Sequence, residues 1–176
     1  MSDSDDERLI LVDVSVFITL AAVDAVELLS GLAGRLVIPE RVVAELVDDR
    51  SQAALSTARK EGFVDVERAE TELESARTHL GSSSDDTGDV GLLAHALTAD
   101  GSVVAVTDDK PLRQTCKALS IPVSGSIGVL VRAVDRDAID AREAKETLYA
   151  MDEVGARLSA SLVRRAERLI DEAEAG

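Results

Sequence analysis

The sequence predicts a parallel α/β sandwich in which short strands alternate along the chain with helices. Residues 9–12 form a continuous apolar run and residues 102–106 are apolar after Ser102, the pattern of strands that are buried on both faces of a parallel sheet. Between such runs, apolar residues recur at helical spacing, as crossover helices require. With 176 residues and 45% hydrophobic content, the chain is long enough for one domain with its own core.

The predicted elements follow in order after a short acidic tail at residues 1–7. Strands are expected at residues 9–12, 36–38, 63–66, 102–106 and 121–123. Helices are expected at residues 15–20, 24–30, 40–47, 51–61, 71–80, from 86 or 87 to 99, and at 111–119, 125–134, 141–153 and 159–174. Pro39 suits the first turn of the helix at 40–47, and Gly62 stops the helix at 51–61. The run Gly81-Ser82-Ser83-Ser84 predicts an internal loop.

The charge balance is strongly acidic, with 34 acidic against 19 basic residues and a net charge of −15. Four of the basic residues are lysines, and an acidic, lysine-poor surface is expected of a halophilic protein. In molar salt the Debye length falls to about 3 Å, so the negative charge does not exclude a nucleic-acid partner, although it would argue against one in ordinary salt. The aromatic residues are Phe17, Phe63 and Tyr149, which argues against a base-stacking platform.

The sequence also predicts the cellular location of the protein and the chemistry of its cysteine. Cys116 is the single cysteine, so neither an intramolecular disulfide nor a cysteine metal site is expected. The acidic N-terminus differs from a basic secretory signal. The apolar stretch at 9–32 is interrupted by Asp13, Asp24 and Glu27, so it is not a membrane span. A cytoplasmic protein with no membrane partner is predicted.

Four short stretches each place a carboxylate where a hydrophobic run stops. They are Val12-Asp13, Ala44-Glu45, Gly88-Asp89 and Thr107-Asp108-Asp109. In open α/β sheets, ligands bind outside the carboxyl ends of the strands. Crowded carboxylates are costly unless a cation shares the site, and oxygen-rich ligation suits Mg²⁺ or Mn²⁺. The sequence therefore predicts a divalent-cation site.

Each carboxylate also has a purely structural explanation. An acid that follows a strand can cap the next helix, which applies to Asp13 and to the Asp108-Asp109 pair. An acid on a helix can lie on its solvated face, which applies to Glu45 and Asp89. Both of the latter border an apolar stripe instead of opposing it, and the joint pattern of the acids favours a shared site.

The motifs and their order resemble the PIN-domain ribonucleases. The matching stretches are Val12-Asp13-Val14-Ser15, Ile38-Pro39-Glu40-Arg41-Val42-Val43-Ala44-Glu45, Thr87-Gly88-Asp89 and Val106-Thr107-Asp108-Asp109. Asp109-Lys110-Pro111-Leu112-Arg113, Ile121-Pro122-Val123 and Gly125-Ser126-Ile127-Gly128-Val129-Leu130 are similar to a prokaryotic PIN-like subfamily with a helical C-terminal extension. The resemblance covers residues 8–134, the expected catalytic domain. It is looser over the expected helical extension at 135–176, where Ala156-Arg157-Leu158-Ser159 is similar to the subfamily's tail.

This resemblance implies a three-layer α/β/α sandwich with a central parallel sheet and C-terminal helices, acting as an Mg²⁺- or Mn²⁺-dependent endoribonuclease. The implied catalytic acids are Asp13, Glu45, Asp89 and one of Asp108 and Asp109, with Asp109 favoured. Asp89 stands where many members of the subfamily carry glutamate. One or two metal ions would be held by these acids and would lower the pKa of a bound water. We further expect supporting residues around the metal ligands: Ser15 and Thr107 as orienting hydroxyls and Arg113 as a contact to substrate phosphate.

RNA is the partner expected from the resemblance. Many relatives are toxins of toxin–antitoxin pairs, so an antitoxin or another protein partner and a second copy of the chain are further partners to test. A rival interpretation is a non-catalytic PIN-like module that binds RNA or protein, which the intact set of acids disfavours. A phosphotransfer receiver domain is a weaker rival, because receivers place an acidic pair after their first strand and only Asp13 occurs here.

Overall fold

The computed structural model describes residues 8–81 and 87–176. The predicted tail at residues 1–7, residues 82–84 of the predicted loop and the candidate helix cap Asp86 lie outside the described residues.

Five strands and the helices between and after them make up the described chain. The strands are β1 (Leu9–Val12), β2 (Arg35–Pro39), β3 (Asp65–Glu67), β4 (Val103–Val106) and β5 (Val123–Ser124). The α-helices are α1 (Val14–Ala22), α2 (Glu40–Val43), α3 (Asp49–Lys60), α4 (Leu73–Leu80), α5 (Gly88–Thr98), α6 (Lys110–Ala118), α7 (Ser126–Asp135), α8 (Ala141–Met151) and α9 (Ala160–Ala175). A 3₁₀-helix covers Val26–Gly31, and a π-helical turn covers Asp152–Ala156.

The sheet is parallel throughout, with the strand order β3-β2-β1-β4-β5. Strand β1 is central and pairs with β2 on one side and β4 on the other. The chain therefore builds the sheet outward from β1 in one direction through β3, and then in the other direction from β4. This reversal creates a crevice outside the carboxyl ends of β1 and β4, the place where open α/β sheets bind ligands.

Helices cover both faces of the sheet, because successive strand side chains point to opposite faces. Ile10 and Val12 enter a large core formed with α1, α3, α7, α8 and α9. Leu11, Val37 and Ala105 enter a second core formed with α4, α5 and α6. This arrangement confirms the predicted three-layer α/β/α sandwich.

The helices after residue 134 pack on the larger core. Leu148 and Met151 of α8 and Ile170 of α9 are fully buried in the same cluster as Ile10. On α9 the buried positions are Ala166 and Ile170, whereas Leu162 keeps 38% of its surface exposed. The apolar side of this last helix therefore packs against the core of its own domain.

The main error of the sequence prediction is the helix at 40–47, which ends at Val43. The chain then continues through two tight turns, in which the amides of Glu45 and Leu46 bond to carbonyls three residues earlier. Val47, at the end of the predicted helix, is 81% exposed. The reason is the next helix: Asp48 caps α3 by accepting a hydrogen bond from Ser51 N at 2.8 Å, so the intervening residues must reverse direction.

Smaller differences concern the boundaries and types of elements. The helix predicted at 24–30 is a 3₁₀-helix at Val26–Gly31, and the strand predicted at 121–123 lies at Val123–Ser124. The helix predicted at 141–153 changes to a π-helical turn after Met151. In the part of the chain that the structure describes, no helix combines the length and apolar character needed to cross a membrane.

Candidate metal centre

Asp13 lies directly after β1, at the crevice where the strand order reverses. Its backbone N–H donates to Val106 O at 2.9 Å, and the residue is 1% exposed. Asp13 occupies the position before α1, yet its carboxylate makes no capping hydrogen bond. Instead, Oδ2 accepts hydrogen bonds from Ser15 Oγ at 2.8 Å and Thr107 Oγ1 at 2.7 Å. Helix capping therefore does not explain this carboxylate.

The second carboxylate oxygen of Asp13 has no partner. Oδ1 is buried and accepts no hydrogen bond within the described residues. A buried acceptor left without a partner costs about 1–3 kcal/mol, and more when it carries charge. The two hydroxyls thus occupy Oδ2, while Oδ1 stays available to a ligand.

Asp89 lies in the first turn of α5, whose N-cap is Thr87. Burial, together with the nearby charges of Asp13, Asp109 and Glu45, raises the pKa of Asp89 from 3.8 to about 7, and burial is the largest of these causes. The four acids therefore share one electrostatic neighbourhood, in which each carboxylate disfavours ionisation of Asp89. A divalent cation would remove this repulsion.

Glu45 approaches this neighbourhood from the turn after α2. Its Oε1 accepts a hydrogen bond from Gly88 N, next to Asp89 in the chain. The approach requires small residues on α5: a Cβ at Gly88 would lie 3.0 Å from Glu45 Oε1, and a Cβ at Gly91 would lie 2.9 Å from Arg41 Cβ. Two glycines one turn apart thus let the α2 turn lie against α5 and bring Glu45 to Asp89.

Asp108 and Asp109 have different surroundings. Both oxygens of Asp108 are used at the start of α7, where Oδ1 accepts from Ser126 N at 2.9 Å and Oδ2 accepts from Ser126 Oγ at 2.7 Å. Asp109 Oδ1 caps α6 by accepting from Leu112 N at 2.8 Å. Since Asp109, and not Asp108, is among the charges that raise the pKa of Asp89, the geometry favours Asp109 as the fourth acid.

The orienting hydroxyls and the arginine named from the sequence all lie at this edge of the sheet. Ser15 Oγ, besides donating to Asp13, accepts from Asp108 N at 3.0 Å, and Thr107 Oγ1 accepts from Asp109 N at 3.1 Å. Arg113 Nη1 donates to Thr107 O at 2.7 Å and to Ser124 O at 2.9 Å. Arg113 therefore joins the ends of β4 and β5. The sequence predicted only a contact of Arg113 with substrate phosphate and not this structural role.

The sequence interpretation missed Ser126 and Gly88. Ser126 holds Asp108 away from the other acids, although the motif Gly125-Ser126-Ile127-Gly128 was visible as the start of a helix. The small residue in Thr87-Gly88-Asp89 was a signal for a close approach of another segment to the helix N-terminus.

The donor set fits a hard divalent cation. Carboxylate oxygens are the ligands that Mg²⁺ and Mn²⁺ prefer. Asp13 Oδ1 can bind a cation without breaking a hydrogen bond, because it accepts none. Over residues 8–81 and 87–176, no three Asp, Glu, His or Cys side chains already converge as a ready-made metal centre. Glu45 Oε1 and Asp109 Oδ1 each accept a hydrogen bond from a backbone amide, and the second oxygen of each carboxylate is the one offered to a cation.

Comparison with known proteins supplies one match. A family model described as a PIN domain matches residues 9–172, which spans the sheet, all four acids and most of the helical region after residue 134. No curated protein matches the chain.

Proposed function

The chain belongs to the PIN-domain family, a nuclease-type fold, and on that premise we propose that it is an endoribonuclease that hydrolyses RNA phosphodiester bonds with Mg²⁺ or Mn²⁺. The observation that carries the proposal is the carboxylate of Asp13, which is buried, doubly hydrogen-bonded at Oδ2 and unpartnered at Oδ1. A purely structural aspartate would satisfy both oxygens.

The acids of the site divide into two groups by their surroundings. Asp13 is buried, Asp89 is half-buried and has a raised pKa, and we assign these two the main contacts to the cation. Glu45 and Asp109 complete the donor set from the α2 turn and the start of α6. A bound divalent cation supplies a water of lowered pKa and offsets the charge that develops on the phosphate.

The remaining residues position these acids. Ser15 and Thr107 hold Oδ2 of Asp13, so the carboxylate cannot rotate without breaking two hydrogen bonds. Arg113 donates hydrogen bonds to the carbonyls of Thr107 and Ser124. It thereby fixes the ends of the strands that lead to Asp109 and to α7. With its pKa near 7, Asp89 holds a proton for part of the time at neutral pH, and a cation must displace that proton.

A second candidate function is a non-catalytic module that binds RNA or protein. One observation favours it: the described side chains do not already converge as a three-group metal centre. The two candidates differ in metal dependence, because only the nuclease needs a cation for its effect on RNA.

The experiment is a cleavage assay on a single-stranded RNA that carries a fluorophore and a quencher at opposite ends. Wild-type chain is compared in Mn²⁺, in Mg²⁺ and in EDTA, at low and at molar KCl. Asp13→Asn and Glu172→Gln, which removes the same charge from an exposed position of α9 outside the site, are purified in the same way. We expect cleavage by wild type and Glu172→Gln with metal, and none by Asp13→Asn or in EDTA. RNA binding without cleavage in any metal would instead identify the non-catalytic module.

Five further properties stay predictions: the toxin role, an antitoxin partner, a homodimer, a halophilic source and cytoplasmic localisation.

A further inference from the structure

A groove of about 730 Å³ borders the acid edge of the sheet and continues to the C-terminal helix α9. Ser15, Asp108 and Asp109 line it at the acid edge, and Arg157 and Arg165 line it on the opposite wall. Its volume lies within the range of about 300–1,000 Å³ that is typical of ligand sites. The site described above thus reaches this cleft through Asp109, and the C-terminal extension contributes to the cleft's wall.

The charge of this groove is the reverse of that of the chain. Among the described residues that line it, three arginines face two carboxylates, whereas the whole chain has 34 acidic and 19 basic residues. Both carboxylates belong to the acid edge, Asp108 and Asp109. The wall formed by α9 and the turn before it therefore presents positive charge without a neighbouring acid in the groove lining.

Arg157 and Arg165 have guanidinium groups that the described chain does not use. Within residues 8–81 and 87–176, neither side chain makes a hydrogen bond or an ion pair, and both residues are exposed. Elsewhere on the same extension, Arg142 bonds to Glu146 and Lys145 bonds to Asp171, whereas Arg164 and Arg168 of α9 also make no hydrogen bond or ion pair among the described residues. The groove arginines are thus available to an anionic ligand.

The backbone at Arg157 is held in an unusual conformation. Its φ is +51°, a left-handed value that non-glycine residues adopt at a cost of about 1–2 kcal/mol. The conformation follows the π-helical turn and is fixed where Leu158 N donates to Asp152 Oδ1 at 2.8 Å. The fold therefore maintains a strained turn that places an arginine on the groove wall.

Aliphatic side chains form a further part of the groove surface. Ile18 and Leu162 line it and are each 38% exposed, and Leu158 and Leu169 line it in half-buried positions. Such surfaces contact bases without reading their edges. A groove of about 730 Å³ has room for a short stretch of single strand.

We propose that the groove binds the phosphate backbone of single-stranded RNA, with Arg157 and Arg165 contacting phosphates of the strand that enters the acid site. The inference rests on the proposed nuclease function and names the residues that hold its substrate. Arginine suits the task, because its planar guanidinium bonds phosphate in a bidentate manner and is more weakly hydrated than lysine. The groove charge also answers how a chain of net charge −15 holds a polyanion: the local balance is reversed where the strand lies.

The test measures RNA binding without cleavage. A short fluorescein-labelled single-stranded RNA is titrated with the full chain in EDTA, and fluorescence anisotropy is followed over a series of KCl concentrations. The variant is Arg157→Gln/Arg165→Gln. The matched control is Arg164→Gln/Arg168→Gln, which removes the same charge from exposed positions of α9 that do not line the groove; these two residues line a neighbouring cavity, which Arg165 also borders.

We expect the groove variant to bind RNA about tenfold more weakly or worse, and its salt slope to fall by about 1.4, since each phosphate contact on single strands contributes about 0.7. The control should keep both values near wild type. Equal losses in the two variants would show that the effect comes from net charge alone. Wild-type affinity in the groove variant would show that RNA does not bind through these arginines. Either result overturns the inference.

The outcomes also separate this inference from the proposed function. If the groove variant loses binding but wild type cuts no RNA in any metal, the groove assignment stands and the nuclease assignment fails. If the groove variant cuts RNA as efficiently as wild type, the nuclease stands and the groove assignment fails.

Discussion

Thr107 Oγ1 donates a hydrogen bond of 2.7 Å to Asp13 Oδ2, which joins the residues that follow β1 and β4. The same oxygen accepts from Asp109 N at 3.1 Å. A hydroxyl has one proton to donate, so its roles are fixed by these two partners. Thr107 therefore positions Asp13 and the backbone of Asp109 together, at the point where the order of the strands reverses.

Thr107→Val should weaken both the fold and the site. The substitution keeps the shape of the side chain but removes the donor, which leaves the buried Asp13 carboxylate with one hydrogen bond fewer. We expect a loss of about 1–3 kcal/mol in the free energy of unfolding, together with weaker Mn²⁺ binding. Urea unfolding and calorimetry measure the two effects. Thr107→Ser, which restores the hydroxyl, should recover metal affinity; recovery of neither would show that Thr107 acts only through packing.

Asp108 and Asp109 should separate in their effects. Asp108 uses both oxygens on Ser126, so Asp108→Asn should lower stability by about 1–2 kcal/mol and leave Mn²⁺ affinity unchanged. In Asp109→Asn the amide oxygen still caps α6, so stability should hold while Mn²⁺ affinity falls at least tenfold. Titration calorimetry on both variants distinguishes them. The opposite pattern would make Asp108 the ligand.

Gly88→Ala should move Glu45 without removing it. The new Cβ would lie 3.0 Å from Glu45 Oε1, so the carboxylate must shift away from Gly88 N. We expect cleavage to fall about as far as in Glu45→Gln, which removes the charge in place, because both changes alter one donor of the set. Single-turnover rates on the same RNA compare the variants. Full activity in Gly88→Ala would mean that the position of Glu45 is unimportant.

Asp89 should make the metal-free chain less stable at alkaline pH. Its folded pKa of about 7 exceeds the ordinary 3.8, so the folded state binds the proton more tightly, and stability falls as the pH rises from about 4 to 7. Asp89→Asn removes the charge. In EDTA we expect this variant to be more stable than wild type by about 1–2 kcal/mol at pH 8, after allowance for solvent screening, and equal to it at pH 4. Urea unfolding at the two pH values measures this difference, and a gain that did not change with pH would contradict the raised pKa.

The sequence predicts the sheet well because its strands are continuous apolar runs. The predicted strand at residues 9–12 coincides with β1, and acids follow both β1 and β4 as expected. The turn at Glu45 was not predictable from helical spacing, since it depends on Asp48 capping the next helix and on Gly88 and Gly91 admitting the turn from a distant part of the chain.

The division of labour between Asp108 and Asp109 also required the structure. Adjacent acids after a strand look alike in sequence, and the difference comes from Ser126, which lies across a strand and a helix from them. The same holds for the groove: Arg157 and Arg165 are ordinary surface arginines in the sequence, and they become a wall of the cleft only because α9 packs back on the core.

Calorimetric titration of Mn²⁺ into the chain, with Asp13→Asn beside wild type, tests most directly whether the acids form one cation site. Asn keeps an acceptor for Ser15 and Thr107, so the fold should be retained, as a melting temperature at or above the wild-type value in EDTA would show. We predict saturable binding to wild type and none to Asp13→Asn. Equal binding to both, or no binding to wild type, would contradict the assignment of Asp13 Oδ1 as a metal ligand.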